Sequence, residues 1–280
     1  MIILTSCVSA SAQSSKTSTI TTIENKGSDT MVNLALAWAE AYQELHPEIN
    51  ISVTGGGSGT GIAALQNSTA DIANASRAMK EEEAAELQKK GLEPREYVVA
   101  RDAIAVVVNP NNPVQELTLQ QVSDIYSGKI NNWKEVGGED RTIVRLSRET
   151  NSGTHVYFLE RVLRLGDKEN TTLFSPYTLL LPSSVGIISE VRDNPNAIGY
   201  DGLGYVTDEV KMVALAKDTG TPYILPSADT VNQDLYPVAR DLYMYTAGEV
   251  SPEVIAFLDW IKGPPAQAIV KRLGFVPIYP

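Results

Sequence analysis

Apolar and polar residues follow two different spacings along the chain. Between Met31 and Leu45 the apolar side chains recur every three to four residues, which predicts an amphipathic helix. Pro47 ends this helix because a proline disfavours the helical conformation of the residue before it. Apolar and polar residues then alternate from Ile49 to Val53, which is typical of a half-buried strand. The first elements predicted are therefore a helix and a strand.

Further helices and strands alternate through the rest of the chain. Helices are predicted over 62–66, 80–90, 119–126, 155–163, 185–191 and 251–262, and strands over 71–75, 97–108, 142–146, 197–200 and 236–245. Gly263 and Pro264 are expected to end the last helix. No internal repeat is found. Alternating strands and helices predict an α/β fold.

Composition and charge exclude several classes of protein. The chain has 280 residues, of which 43% are hydrophobic and 20% charged, as in one or two soluble globular domains. No run approaches the ~18 apolar residues of a membrane-spanning helix. The net charge of -11 argues against a nucleic-acid partner, which needs a basic face. A small anion would have to be attracted by local groups, against the overall field.

The N-terminal region carries the single cysteine, Cys7, which excludes an internal disulfide. The run Leu4–Cys7 resembles the lipobox of an export signal, which implies that Cys7 becomes lipidated. Cys7 as an unused cysteine is one alternative, and cleavage after Ala10–Ala12, an A-x-A pattern, is another. Residues 8–22 are rich in Ser and Thr and favour a tether. Residues 1–19 are accordingly assigned to a signal remnant and tether.

Four short stretches combine small residues with hydroxyl groups or arginine. They are Gly27–Thr30, Gly55–Gly61, Ala75–Arg77 and Arg148–Thr154. Three of them precede a predicted helix, where free backbone N–H groups and the helix dipole favour an anion. The alternative for each stretch alone is ordinary helix capping by Ser or Thr. Together they predict an oxyanion site.

The glycine-rich stretch Gly55–Gly61 is the hardest to explain by capping. Five of its seven residues are glycine, which costs conformational entropy and suits a backbone that another group approaches closely. No lysine follows the last glycine, so the stretch is not a P-loop. It also lacks the G-x-G-x-x-G spacing, so a nucleotide site is not indicated.

Arg77 and Arg148 add a feature that capping does not explain. A guanidinium group matches two oxygens of a tetrahedral anion. The alternative is an ordinary surface salt bridge. Arg148 lies four residues before Ser152, between a predicted strand and a predicted helix, and this position favours a binding role.

The four stretches together resemble the PstS-like family, the phosphate-binding proteins of phosphate ABC transporters. The resemblance covers about residues 23–280, and the pattern R-x-x-x-S-G-T from Arg148 to Thr154 is its most specific part. Phe257–Trp260 and Gly274–Pro277 also resemble the C-terminal helices of the family. The resemblance implies a type II periplasmic-binding-protein clamp of two α/β domains with the ligand between them. Domain I would comprise residues 20–105 plus 242–280, and domain II residues 106–241.

The resemblance also implies a function and a set of binding residues. The chain would be a monomeric substrate-binding protein, not an enzyme. It would capture inorganic phosphate outside the cytoplasm and deliver it to an ABC permease, held at the membrane by a lipid on Cys7. Domain I would contribute Ser28, Asp29, Thr30, Ser58, Ser76 and Arg77, and domain II Arg148, Ser152, Gly153 and Thr154.

No cofactor is expected. The sequence has no cluster of Cys and His that would indicate a metal site. Asp201 and Asp208 lie beside or near glycines and are interpreted as turn residues.

One position departs from the best-known branch of the family. There an Asp follows the Ala-Ser pair and accepts the proton of phosphate, whereas this chain has Arg77. A carboxylate of this kind rejects sulfate, which has no proton to donate at neutral pH. Asp29 or Asp71 could supply the acceptor from another direction. We hypothesise Asp29, because it lies inside a matching motif.

Three other functions are compatible with parts of the sequence. The site could bind another tetrahedral oxyanion, such as sulfate or molybdate. Ser152 with His155 could form a hydrolase pair, although Ser152 lacks the G-x-S-x-G context of a nucleophile elbow. An adhesin or a sensor could use the same clamp, because fold does not fix function.

Overall fold

A computed structural model describes residues 20–279, which form eleven strands and nine α-helices. The expectations for Cys7, for Ala10–Ala12 and for residues 1–19 fall outside these residues. Within residues 20–279 no helix combines the length and the apolar character that crossing a membrane requires.

The element bounds follow the hydrophobic pattern closely in the longer elements. The strands are β1 Thr21–Gly27, β2 Ile49–Thr54, β3 Ile72–Ala75, β4 Pro94–Val108, β5 Glu116–Thr118, β6 Val144–Arg148, β7 Leu179–Leu181, β8 Ala197–Gly202, β9 Lys211–Met212, β10 Ala214–Ala216 and β11 Ala239–Ala247. The helices are α1 Val32–Leu45, α2 Ser58–Gln66, α3 Glu81–Lys89, α4 Leu119–Ser127, α5 Gly153–Phe158, α6 Ser184–Asp193, α7 Ala228–Asn232, α8 Pro252–Ile261 and α9 Pro264–Arg272. A π-helical segment, Leu159–Leu163, continues α5.

One sheet runs through the molecule in the order β2-β1-β3-β11-β4-β8-β6-β7, with β9 beside β4. The first part of β4 pairs antiparallel with β11, as far as Ala103 opposite Ala239. The last part of β4 pairs antiparallel with β8, starting with Ile104 opposite Gly202. Because β4 changes partner along its length, it connects two halves of the sheet.

Each half of the sheet has its own buried core. In one half, Trp38 of α1 and Phe257 of α8 pack with Met244 of β11. In the other half, Tyr126 of α4 and Phe158 of α5 pack around the second part of β4. The observed architecture is the two-lobed α/β fold that we predicted. The boundaries at 105/106 and 241/242 stay a prediction.

Several elements were not predicted. Strand β1 begins at Thr21, so the predicted tether over 8–22 was wrong for its last two residues. Helix α8 ends before Gly263 and Pro264, as predicted, but a further helix, α9, begins at Pro264. Proline is well suited to the first position of a helix. Helix α2 begins at Ser58 rather than Ile62, so it includes two glycines of the glycine-rich stretch.

Candidate functional site

Three serine hydroxyl groups from separate loops meet at the carboxyl ends of β1 and β3 and the start of α2. The Ser28 hydroxyl donates to Ser76 Oγ at 2.9 Å, and Ser58 Oγ lies 3.3 Å from Ser76 Oγ. The backbone N–H of Ser76 also donates to Ser58 Oγ at 3.0 Å. All three residues are buried. The first half of the molecule therefore presents a compact cluster of hydroxyl groups, the serine cluster Ser28, Ser58 and Ser76.

The loop between β6 and α5 brings the second half against the serine cluster. Ser152 caps α5 by accepting from the N–H of His155 at 3.5 Å. A Cβ on Gly153 would lie 2.2 Å from Ser58 Oγ and 2.7 Å from Ser76 Oγ, so a side chain there would displace the hydroxyl groups of the serine cluster. Beside it, the Thr154 and Thr30 hydroxyls are 2.8 Å apart across the interface.

The glycine-rich stretch Gly55–Gly61 contacts the same loop through its backbone. Gly59 N–H donates to the carbonyl oxygen of Asn151 at 3.2 Å, and Asn151 Nδ2 donates to Gly56 O at 2.8 Å. Gly57 has a φ of 98°, and a Cβ there would lie 2.7 Å from Asn151 O. The glycines thus allow two backbone segments to approach closely, as the composition of the stretch predicted.

Arg148 lies at the end of β6 with only 2% of its side chain exposed. Its Nη1 donates to Ser184 Oγ at 2.7 Å, and its Nη2 donates to Pro182 O at 2.8 Å. Its Nη2 also lies 3.1 Å from Asp29 Oδ2. The buried Nε has no acceptor among residues 20–279. Arg148 is therefore a buried cation, fixed at one end, with a free N–H donor.

Asp29 connects the two halves from the opposite side. Its Oδ2 accepts from the backbone N–H of Ser184, the first residue of α6, at 2.9 Å. Its backbone carbonyl accepts from the Tyr205 hydroxyl at 2.9 Å. The carboxylate thus lies at a helix N-terminus and beside a guanidinium group, both of which stabilise its charge. About a quarter of the side chain stays exposed, 24%.

Asp201 is a charged residue of the site that sequence reasoning missed. The interpretation as a turn residue was wrong, because Asp201 lies in β8 with 0% of its side chain exposed. Its Oδ1 accepts from Ser184 Oγ at 3.0 Å and from the Gly202 N–H at 2.7 Å. Its Oδ2 lies 3.7 Å from Arg148 Nη1. Burial raises the pKa of Asp201 to about 6, although the attraction of Arg148 lowers it. The available signal was a carboxylate that directly follows a strongly apolar predicted strand.

Arg77 is buried as well, but its guanidinium group contacts Glu83. Nη1 and Nη2 donate to the two Glu83 carboxylate oxygens at 2.7 Å and 2.6 Å, and Nη1 also donates to Ala78 O. These hydrogen bonds hold the segment that follows Ser76. The backbone oxygen of Ser76 also accepts from Arg240 Nη1 at 2.8 Å. Direct contact of Arg77 with a ligand stays a prediction.

The pair Ser152 and His155 does not have the geometry of a hydrolase. Nδ1 of His155 lies 2.9 Å from Arg148 O and 3.1 Å from Ser147 Oγ, and the Ser152 hydroxyl caps the helix. Burial lowers the pKa of His155. Within the described part of the chain, no group of three His, Cys, Asp or Glu residues is placed to hold a metal ion.

Comparisons with known proteins agree with this arrangement. Residues 12–264 match the model of the PBP superfamily domain. The phosphate-binding protein PstS of Pseudomonas aeruginosa is 33% identical over 273 residues, covering 91% of this chain and 83% of the relative. PstS of Bacillus subtilis is 32% identical over 253 residues, covering 90% and 79%.

Solved structures show the same relationship. A Clostridium perfringens protein, assigned as a phosphate ABC transporter substrate-binding protein and crystallised with bound phosphate, superposes with a TM-score of 0.82 at 32% identity. The match covers 92% of this chain and 99% of that one. The chain therefore belongs to the PBP superfamily and, within it, to the family of PstS phosphate-binding proteins.

Proposed function

We propose that the chain is a solute-binding protein that captures inorganic phosphate between its two halves and delivers it to an ABC permease. One observation carries the proposal. The β6–α5 loop, which begins at the buried Arg148, places Gly153 against the serine cluster of the other half. Hydroxyl donors, a backbone without side chain and a fixed cation are the groups that a tetrahedral oxyanion requires.

The proposed contacts come from both halves. Phosphate oxygens would replace the hydroxyl–hydroxyl hydrogen bonds within the serine cluster and between Thr30 and Thr154. Arg148 would supply positive charge, and Ser152 and Gly153 would add a hydroxyl and a backbone N–H. Two strands, β4 and β11, connect the halves, which we assign to residues 20–105 plus 242–280 and to residues 106–241. Opening and closing about these strands would admit and release the ligand.

We further propose that Asp29 accepts the proton of phosphate and so distinguishes phosphate from sulfate. The position of its carboxylate beside Arg148 and its partial exposure support this role. Sulfate would leave the carboxylate facing a second anion without a hydrogen bond, which costs about 1–3 kcal/mol or more.

Equilibrium dialysis with labelled phosphate tests the function. The protein is first stripped of bound anion, and unlabelled sulfate and molybdate then compete at pH 7 to 8. We expect phosphate to bind and the other anions to compete poorly. Effective competition by sulfate or molybdate would instead support a site for another oxyanion. The presence of Arg77 where the best-known branch of the family has Asp favours this alternative. If Asp29→Asn leaves the preference for phosphate unchanged, Asp29 is not the proton acceptor.

We also propose an extracytoplasmic location, a monomeric state and a lipid anchor at Cys7. Support comes from the family and from the lipobox-like run Leu4–Cys7. Incorporation of labelled fatty acid into the wild type, but not into Cys7→Ser, is the expected result. Equal labelling of the wild type and Cys7→Ser would contradict a lipid anchor at Cys7.

A further inference from the structure

Asp201 is a buried carboxyl group to which the proposed function gives no role. It shares both Arg148 and Ser184 with Asp29. Ser184 Oγ accepts from Arg148 and donates to Asp201, while Ser184 N–H donates to Asp29. The Oδ2 atom of Asp201 faces Arg148 and has no donor within hydrogen-bond distance in the described chain. One guanidinium group therefore stands between two carboxyl groups.

We propose that Asp201 is a positioning residue that holds Arg148 through Ser184 and, by its charge state, determines how strongly the site accepts an anion. The inference rests on the proposed function. It assigns to Asp201 a part that differs from that of Asp29, which would touch the ligand itself.

Among the charged groups around Asp201, Arg148 is the cation that is not paired with another buried carboxylate outside the site. Its charged neighbours are Arg148, Asp29 and Arg240, and the ionisable hydroxyls nearby are those of Tyr200 and Tyr205. Arg240 is already paired with the buried Asp102, at 2.8 Å. Burial raises the pKa of both tyrosines far above neutral pH, so they carry no charge there. The net charge near the site is thus decided by Arg148 and the two aspartates.

This arrangement couples anion binding to a proton. With Asp29 and Asp201 both ionised, the three groups sum to one negative charge, which opposes an incoming anion. With Asp201 protonated they sum to zero. A bound anion in turn favours the protonated Asp201, because the coupling between two binding events is reciprocal. Phosphate affinity should therefore fall as pH rises through the titration of Asp201.

The test compares phosphate dissociation constants of the wild type and Asp201→Asn between about pH 5 and pH 8. The ratio of the two constants cancels the ionisation of phosphate itself. We expect the dissociation constant of the wild type, divided by that of Asp201→Asn, to be near one at low pH and to rise about tenfold by pH 8. A tenfold rise corresponds to a shift of one unit in the pKa of Asp201 when phosphate binds. Asp208→Asn is the matched control, since Asp208 is exposed, and its ratio should stay flat. A flat ratio for Asp201→Asn would overturn the inference.

A second variant keeps the inference testable if Asp201→Asn does not fold. Ser184→Ala removes the hydroxyl hydrogen bond that stabilises ionised Asp201. The decline in phosphate affinity should then occur at a higher pH than in the wild type, and an unchanged pH profile would contradict the inference. Wild-type protein that binds no phosphate at any pH would instead refute the proposed function, and this inference with it.

Discussion

At the scale of single residues, Arg148 is the group on which the proposed site depends most. Replacing it with Met removes the guanidinium that lies between Asp29 and Asp201 and leaves their two carboxyl groups without it. Removing one partner of a buried charged contact costs about 2–5 kcal/mol, so Arg148→Met should weaken phosphate binding by at least about thirtyfold. Dialysis of the variant against labelled phosphate measures the loss. Arg192→Met, at an exposed site, serves as the control.

Arg77 should behave differently, because Glu83 occupies its guanidinium group. We expect Arg77→Met to lower the free energy of unfolding by about 3 kcal/mol, the cost of breaking a buried ion pair. Phosphate affinity should change less than about tenfold, as for a residue that only supports the Ser76 loop. Urea unfolding and dialysis give the two numbers. A loss of affinity equal to that of Arg148→Met would make Arg77 a direct ligand.

Asp201 also makes stability depend on pH. Its pKa is raised from the usual value of 3.8 to about 6 on folding, so its ionisation opposes the folded state. The contribution of protonated Asp201 to the stability of the folded protein is complete below about pH 4 and is lost as pH rises through about 6. The unfolding free energy of Asp201→Asn minus that of the wild type should therefore be about 2 kcal/mol larger at pH 8 than at pH 4. Urea unfolding in phosphate-free buffers measures it, and a pH-independent difference would refute the assignment.

At the scale of elements, the sequence predicted what is long and periodic. The helix from Val32 to Leu45 carries enough apolar positions to show its period. The strand ending at Val108 was predicted from its length and its β-branched residues. Strands β5, β9 and β10 have two or three residues each, too few for a period, and they exist through pairing with distant segments. The importance of Asp201 was hidden for the same reason, since its partners Arg148 and Ser184 are brought to it only by the fold.

The start of α5 gives a prediction at this scale. An alanine at Gly153 would place its Cβ within 2.2 Å of Ser58 Oγ, so the two halves could not close as they do here. We expect Gly153→Ala to abolish measurable phosphate binding while the protein stays folded. Gly186→Ala in α6 is the control, because its Cβ would come no closer than 3.2 Å to a neighbouring atom, the Ser183 Oγ. Circular dichroism measures whether the variant is folded, and dialysis measures its phosphate binding. If Gly153→Ala binds phosphate as tightly as the wild type, the ligand lies elsewhere.

At the scale of the whole molecule, the net charge of -11 opposes the capture of an anion. Added salt screens this repulsion, because the Debye length falls from about 30 Å at 0.01 M to about 8 Å at 0.15 M. The association rate of phosphate should accordingly rise several-fold over that range of sodium chloride. Rapid filtration with labelled phosphate measures this rate. A rate that falls with salt would show that local positive groups, rather than the net charge, control the approach.

The two halves also contact each other at several places. Asp29 contacts Arg148, Thr30 contacts Thr154, and Asn151 bonds the glycine-rich stretch. Each contact joins a residue of one proposed domain to a residue of the other. The four stretches together predicted an oxyanion site, but their spacing along the chain could not give these individual contacts.

Calorimetric titration of phosphate into anion-free wild-type protein, with Arg148→Met alongside, tests whether phosphate binds at Arg148. We expect one phosphate bound per chain and, in the variant, a binding heat that is lost or an affinity weakened by at least about thirtyfold. Absence of phosphate binding by the wild type, or equal binding by both chains, would contradict it.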